Sequence, residues 1–329
     1  MVIFKVIPIK NILDLDFPVM GWEFPNMNKH PVQQTGQLFG FISNEYGVRA
    51  TVVQMTDLVE QACAIQGTSA TSSVALGRIL VGSVLVASLL KEKQAVSFQV
   101  QGSGALSRIF AHAQHEGICR ASLNNKQAPL CFDDKGLALK ELVGEGMLQV
   151  TTYIPHQKSP QVSQVPLVSG EIGEDIAHYL SQSMQIPCVI SLGVKINSEG
   201  KVAAAGGVLI ELMPGHSSEV VNMIEEQQGK AQSLSHLIEG GESPTNLLRN
   251  HLGPIEMKQI KNHSVHYACT CSKEKAGKSL RLLDSQDFVE ILASPEVLHV
   301  DCDMCGLTHS FSLEEIQEIY KASGKAPLH

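Results

Sequence analysis

Four cysteines near the end of the chain constrain it more than any other feature. They stand as Cys269-Thr-Cys271 and, after thirty intervening residues, Cys302-Asp-Met-Cys305, followed by Gly306. Two close pairs joined by a structured loop are the spacing of a closed four-thiolate zinc site. In Cys302-x-x-Cys305 a tight turn can aim both sulfurs at one ion, and Gly306 can take the strained backbone angle. In Cys269-x-Cys271 the i and i+2 side chains share one side of an extended segment. Four sulfurs leave no open position for water or substrate, so one zinc here is structural or redox-active rather than hydrolytic. His266 and His309 lie close by in sequence and are read as bystanders rather than ligands.

The same spacing carries a redox argument. A metal holds thiols deprotonated, and the thiolate is the form that oxidants attack. Once oxidised to disulfides, the cysteines lose their value as ligands, and the zinc is expected to leave. A structural zinc contributes roughly 10–16 kcal/mol of apparent binding free energy at neutral pH, and a small unit has little core to replace it. Disulfides within each pair would close very short loops and would not restore the link across the thirty-residue gap. Oxidation is therefore expected to unfold this tail.

The chain has 329 residues, enough for about two domains. With 43% hydrophobic and 18% charged residues it is globular in composition, not disordered. The formal net charge is −8. Residues 263–329 hold six Lys or Arg against ten Asp or Glu, which argues against a zinc-ribbon nucleic-acid binder. No secretory signal is read at the start. The most apolar run, Val74 to Leu90, is interrupted by Arg78 and reads as a buried helix rather than a membrane span. A soluble cytoplasmic protein, with neither nucleic acid nor membrane as partner, is expected.

The expected fold class is α+β, with a mixed core domain built on a mainly antiparallel sheet, a helical linker and a small four-cysteine zinc domain. Residues 1–34, punctuated by four prolines, read as an irregular leader or the product of an upstream start codon. Residues 35–215 read as the core domain. Helices are expected over Met55–Ile65, capped by Thr56 or Asp57, over Ser73–Leu90 and over Ser169–Met184. Strands are expected near residues 96–100, 107–113, 117–123, 148–154, 188–196 and 201–213, the last two as a hairpin. Gly206-Gly207 suggests a bulge or a close backbone approach, and Gly77 and Gly82 close helix packing. Residues 216–262 read as a linker of short helices, with too few apolar residues to form a core of their own. Residues 263–329 read as the zinc-binding switch domain. It ends in a helix with a Ser312/Glu315 capping box and a Phe311/Ile316 staple, its Leu313, Ile316, Ile319 and Tyr320 facing inward.

Other motifs carry less. Gly102-Ser-Gly104 and Gly144-Glu-Gly146 read as turns rather than phosphate cradles. Val168-Ser-Gly170 lacks the glycines of a nucleophile elbow. Asp133-Asp134 and Glu225-Glu226 read as solvated charges. Cys63, Cys119, Cys131 and Cys188, scattered among apolar neighbours, read as core residues. A thiol oxidoreductase using Cys302-x-x-Cys305 is disfavoured by the partner pair and by the lack of a thioredoxin-like context.

With both cysteine pairs in hand, the chain resembles the heat-shock protein 33 family of redox-regulated chaperones over about Leu38 to Tyr320. The resemblance rests on Leu76-Gly-Arg78 with its apolar helix, on Val165 to Asp175, on Ala204 to Gly207 with Leu212 to Gly215, and on Cys269-Thr-Cys-Ser-Lys-Glu274 with Cys302 to Cys305. Lys275 stands where the family usually has Arg, and His309 where it usually has an aromatic residue. The resemblance implies an ATP-independent holdase, not an enzyme, that is inactive when reduced and zinc-bound. It implies that hypochlorite, or peroxide with heat, forms two disulfides and releases zinc. Tail and linker then unfold and expose apolar surface to unfolding client proteins, and the active form tends to be a homodimer. Carried over, the disulfides would be Cys269–Cys271 and Cys302–Cys305, although four cysteines permit three pairings.

Overall fold

The structure is a computed structural model and describes residues 34–133, 136–293 and 297–323. The expected leader thus lies outside the described residues, apart from Gln34. Two compact units result, within residues 34–268 and residues 269–323.

The larger unit starts with the hairpin β1 (Thr35–Ser43) and β2 (Val48–Gln54), then α1 (Thr56–Gln66) and α2 (Ala70–Ala87). Next come β3 (Ala95–Gly102), β4 (Arg108–Gln114), β5 (Ile118–Leu123), a small ribbon β6 (Phe132–Asp133) and β7 (Gly136–Leu137), α3 (Lys140–Val143), β8 (Gly146–Tyr153) and β9 (Gln161–Pro166). After α4 (Gly173–Met184), β10 (Cys188–Ile196) and β11 (Val202–Leu212) form the expected hairpin. The helices α5 (Ser218–Gln228), α6 (Leu234–Glu239) and α7 (Pro244–Leu252) then lead to β12 (Lys258–Tyr267).

These strands, β6 and β7 excepted, make one ten-stranded sheet in the order β10-β11-β2-β1-β12-β5-β4-β3-β8-β9. Neighbours are antiparallel except β12 and β5, which pair in parallel through His266↔Ile118 and Tyr267↔Cys119. At that seam the Ala121 carbonyl accepts from Gln66 Nε2 at 2.8 Å and from the Tyr267 hydroxyl at 3.1 Å, tying α1 to both strands.

Alternation along the strands gives the sheet two apolar faces. One is covered by α1, α2 and α4. Sixteen of the eighteen residues of α2 are buried, as expected of a helix that is apolar nearly all round. It is long and apolar enough to cross a membrane, but it lies in the core. Its glycines allow close packing: a Cβ on Gly82 would stand 2.4 Å from Ile176 Cδ1, and one on Gly77 2.9 Å from Val59 and Val194. The second face carries Phe41, Val48, Ala50, Val52, Ala204, Val208 and Ile210. Val220 and Ile224 of α5, Leu234 and Ile238 of α6, Leu247, Leu248 and Leu252 of α7, and Ile255 are buried with it. The stretch read as unable to form its own core therefore lies on the sheet.

Three expectations are corrected. The boundary placed between residues 262 and 263 falls inside β12, which pairs with β1 from Thr35↔His266 to Ile42↔Lys258. That strand shows little apolar alternation, because Lys258, Gln259, Ile260 and Asn262 are exposed. Neither Thr56 nor Asp57 caps α1: Met55 is the capping position, and the Thr56 hydroxyl accepts from Ala205 N at 3.1 Å. The helix expected from Ser169 begins at Gly173, because the buried Asp175 carboxylate draws the preceding backbone into a loop. It accepts from the N–H groups of Val168, Ser169, Gly170 and Ile172 at 2.8, 3.0, 3.3 and 3.0 Å. Of the two readings of Gly206-Gly207, the close approach holds, since a Cβ on Gly206 would stand 2.4 Å from Val53 O, while the hairpin's register shift lies between Lys195 and Ile196.

His251 of α7 is buried, its Nε2 has no hydrogen-bond partner among the described residues, and its Nδ1 lies 3.4 Å from Gln228 Oε1 of α5. Burial pushes this imidazole down to about 4 from its ordinary 6.5. The undocked helix takes up a proton near 6.5, whereas the docked one resists until about 4. Docking therefore keeps its full strength above pH 6.5 and weakens below it by about 1.4 kcal/mol per pH unit down to pH ~4. Amide-exchange protection factors in α5 and α7, corrected for intrinsic rates, are expected to fall between pH 7 and 5. His251→Leu should flatten that dependence; an unchanged dependence would contradict this role.

Candidate metal centre

The smaller unit holds α8 (Lys273–Leu280), α9 (Ser285–Ala293), the hairpin β13 (Leu298–Asp301) and β14 (Thr308–Phe311), and α10 (Leu313–Ala322). Its apolar cluster is Leu280, Phe288, Ile291, Leu298, Val300, Phe311, Ile316 and Tyr320. The capping box of α10 is present: Ser312 Oγ accepts from Glu315 N at 3.3 Å, and Glu315 Oε2 from Ser312 N at 2.8 Å. Ile316 and Tyr320 face inward as expected and Ile319 packs beside them, but Leu313 stays outside the cluster.

Each cysteine pair is held by local structure. Cys302 and Cys305 sit in the turn between β13 and β14, closed by Cys302 N to Leu307 O at 3.0 Å and Gly306 N to Cys302 O at 2.8 Å. Gly306 has φ +69°, a left-handed conformation that glycine adopts without a Cβ penalty. Cys269 and Cys271 lie in the extended segment before α8, whose N-cap Ser272 accepts from Lys275 N at 3.2 Å. The Lys275 ammonium donates to the Thr270 carbonyl at 2.7 Å, which fixes the residue between the two cysteines. The positive end of α8 and this ammonium both favour the thiolate form nearby.

The four Sγ atoms lie within 4.8 Å of one another. Cys269 and Cys302 approach to 3.6 Å and Cys271 and Cys305 to 3.5 Å. Ligands at ~2.3 Å from one ion in a tetrahedron stand about 3.8 Å apart, so the arrangement fits a single tetrathiolate metal. It does not select a disulfide pairing, because all four sulfurs are mutual neighbours. Without a metal, such thiols ionise in turn. Hydrogen bonding with Cys269 raises Cys302, but bonds from Cys271 and Cys305 outweigh it and bring Cys302 down to about 7. Cys271 and Cys305 are pushed up, in the first place by hydrogen bonding with Cys269. A bound cation would displace those protons.

The remaining candidates fall outside the centre. His266 and His309 contribute no atom to the sulfur cluster. Cys63 and Cys119 are buried and their thiols raised by burial; Cys188 is half-buried and pushed up to about 11, chiefly by burial. Cys131 is half-buried and likewise lies apart from the cluster. Glu225 and Glu226 are exposed, whereas the side chains of Asp133 and Asp134 lie outside the described residues. The two glycine motifs pack on each other: Ser103 N donates to Glu145 O and Gly104 N to Val143 O, both at 2.9 Å. Val168-Ser-Gly170 is the loop held by Asp175. Sequence reasoning missed Lys275 as the partner of Thr270, since a lysine in a helix's first turn signals no contact by itself.

Residues 36–312 match the family model described as Hsp33 protein. The chain belongs to the Hsp33 family. The 33 kDa chaperonin of Shouchella clausii is 33% identical over 274 residues, 83% of this chain and 92% of that relative. The one of Desulfotalea psychrophila is 36% identical over 265 residues, 80% and 90% of the two chains. The crystal structure of the Hsp33 homologue from Thermotoga maritima superposes with a TM-score of 0.77 at 31% identity, covering 89% of this Hsp33-family chain and 99% of its own. The fold and the family expected from the sequence are thus borne out, and the relatives bear the names of chaperones.

If the cluster holds one ion, loss of any sulfur should be costly. Cys271→Ser and Cys305→Ser should each weaken zinc binding by more than the roughly 10–100-fold typical of losing a merely supporting group. Competition with a chromophoric chelator would measure this; wild-type affinity in either variant would rule out a four-sulfur site.

Proposed function

We propose that this chain is a redox-regulated, ATP-independent holdase, a binding protein without turnover. The observation that carries this reading is the tetrathiol cluster, assembled from two pairs 33 and 34 residues apart, in a chain whose relatives are named chaperonins. In the reduced state Cys269, Cys271, Cys302 and Cys305 hold one zinc, which supplies a cross-link between the two ends of the tail. Each disulfide then forms as two thiolates give up two electrons, for example to hypochlorite, which is reduced to chloride and hydroxide.

The pairing decides the outcome. Cys269–Cys302 and Cys271–Cys305 bonds would keep both ends of the tail joined. Cys269–Cys271 and Cys302–Cys305 bonds, which the family resemblance implies, close loops too short to restrain it. The tail, residues 263–329 in the sequence reading and beginning after β12 by contacts, would then lose its metal cross-link and unfold. The linker, about residues 216–262, would follow. Its eight buried apolar side chains contribute only about 1.5–3 kcal/mol each, against the entropy of ordering the whole stretch. Its departure uncovers Phe41, Val48, Val52, Val208 and Ile210 on the sheet, along with its own apolar faces, for unfolding client proteins. Homodimerisation belongs to this oxidised state. A cytoplasmic location fits thiols that must start reduced, and the acidic balance disfavours nucleic acid.

Light scattering from a thermally unfolding client tests the reading. Suppression is expected only after hypochlorite treatment, together with release of about one zinc per chain and peptide mapping of Cys269–Cys271 and Cys302–Cys305. Suppression by both forms would mean a constitutive holdase with a purely structural metal. Suppression by neither would overturn the chaperone reading.

A further inference from the structure

Gly193 of β10 stands directly opposite Gly206 of β11. A glycine inside a strand is less favourable than alanine, so a cross-strand pair weakens the sheet locally. Neither has a positive φ, and their backbone conformation therefore does not call for glycine. The space above them does. A Cβ on Gly193 would stand 2.7 Å from Ser235 N, 3.1 Å from Ser235 Cα and 3.2 Å from Leu234 C, three backbone atoms of α6. A Cβ on Gly206 would meet Ile238 Cδ1 of α6 at 2.7 Å. The helix thus rests its own backbone on a side-chain-free patch of the sheet. Its far end is held by Lys195 Nζ to Glu239 Oε2 at 2.6 Å, and the residues after it by Gln54 Nε2 to Glu242 O at 3.1 Å.

We propose that Gly193 is the positioning residue that seats α6 and so keeps the α5–α7 cover closed in the reduced protein. The two glycines are not equivalent probes. A Cβ on Gly206 would also strike Val53 O at 2.4 Å, within the sheet itself, whereas the three nearest atoms at Gly193 all belong to α6. Backbone atoms cannot swing aside as a side-chain tip can. A single methyl at 193 must lift the helix, while the strand beneath it gains a residue better suited to a strand. The release of the cover is then separable from the chemistry at the cysteines. This inference rests on the reading of α5–α7 as the cover of the client surface, and it names the contact that holds that cover in place.

The test is Gly193→Ala in the full-length, reduced, zinc-loaded protein. Amide exchange in α6 and the adjoining α5 and α7 should quicken by about tenfold or more, with zinc content, free-thiol count and sheet protection unchanged. Aggregation of an unfolding client should be suppressed without oxidant. Ile238→Ala, which lies on α6 and leaves the sheet intact, should act in the same direction and carries the test should Gly193→Ala fold poorly. Gly229→Ala, in the same linker where a Cβ would meet only Glu226 O at 3.6 Å, should behave as wild type. Wild-type exchange in both Gly193→Ala and Ile238→Ala would overturn the seat. Faster exchange with no activity in the reduced form would leave the seat standing and overturn instead the reading of α5–α7 as the cover.

Discussion

A sheet of ten strands that is apolar on both faces must be covered twice, and the two covers here are made of very different material. On one face α2 lies as a nearly all-apolar helix, flanked by α1 and α4 and packed close through Gly77 and Gly82. Polar groups reinforce that side. Asp175 gathers four backbone N–H groups, and Glu171, ion-paired with Arg78, accepts from Leu139 N and Lys140 N at 2.8 and 2.9 Å. The other face is closed by three short helices with seven buried apolar side chains among them, and by Ile255. Local opening follows the weaker cover, because free energies of opening track the apolar contact that must be given up. The asymmetry would let one face be uncovered while the sheet persists.

The tail solves a different problem with a different interaction. Among the described residues of this unit, eight buried apolar side chains form a small core. A tetrathiolate metal would link its beginning to its hairpin and so stand in for a core. Such a link can be lost in one chemical step, unlike dispersed packing, because all its strength resides in four sulfur atoms whose electrons are open to an oxidant. Lys275 and the N-terminus of α8 sit beside the Cys269–Cys271 segment, in a tail that is acidic overall but carries Lys273, Lys275, Lys278 and Arg281 close after these cysteines. Positive charge at that point balances thiolates that would otherwise repel one another.

How legible each part was in the sequence follows from whether its cause is local. A metal site needs close pairs of ligands, so the clustering of these four sulfurs could be read from spacing alone. The helix α2 and the hairpin of β10 and β11 announce themselves through continuous or alternating apolar residues, and the capping box of α10 through residues three apart. The strand β12 does not, since its partner β1 recruits it through backbone pairing and leaves Ile260 exposed. Thr56 looked like a cap because caps are local; the hydroxyl instead serves Ala205, far away in sequence. The pairing of Gly193 with Gly206 depends on strand register, which no short window of sequence contains.

On the proposed reading, the four-cysteine cluster and the helical cover divide one task between them. A trigger must be sensitive to chemistry, and four adjacent thiols are. A cover must be marginal enough to leave when its support fails, yet fit closely enough to stay while support remains. The second requirement explains why strand glycines are tolerated at a cost to the sheet. Tight seating of α6 raises the contact made per residue without adding apolar side chains that would bind other surfaces on their own account. A larger apolar linker would close the face more firmly, but it would resist release and would itself be prone to aggregation once unfolded. On that reading, holding the helix by shape rather than by hydrophobic mass would keep the closed state ordered and the open state within reach.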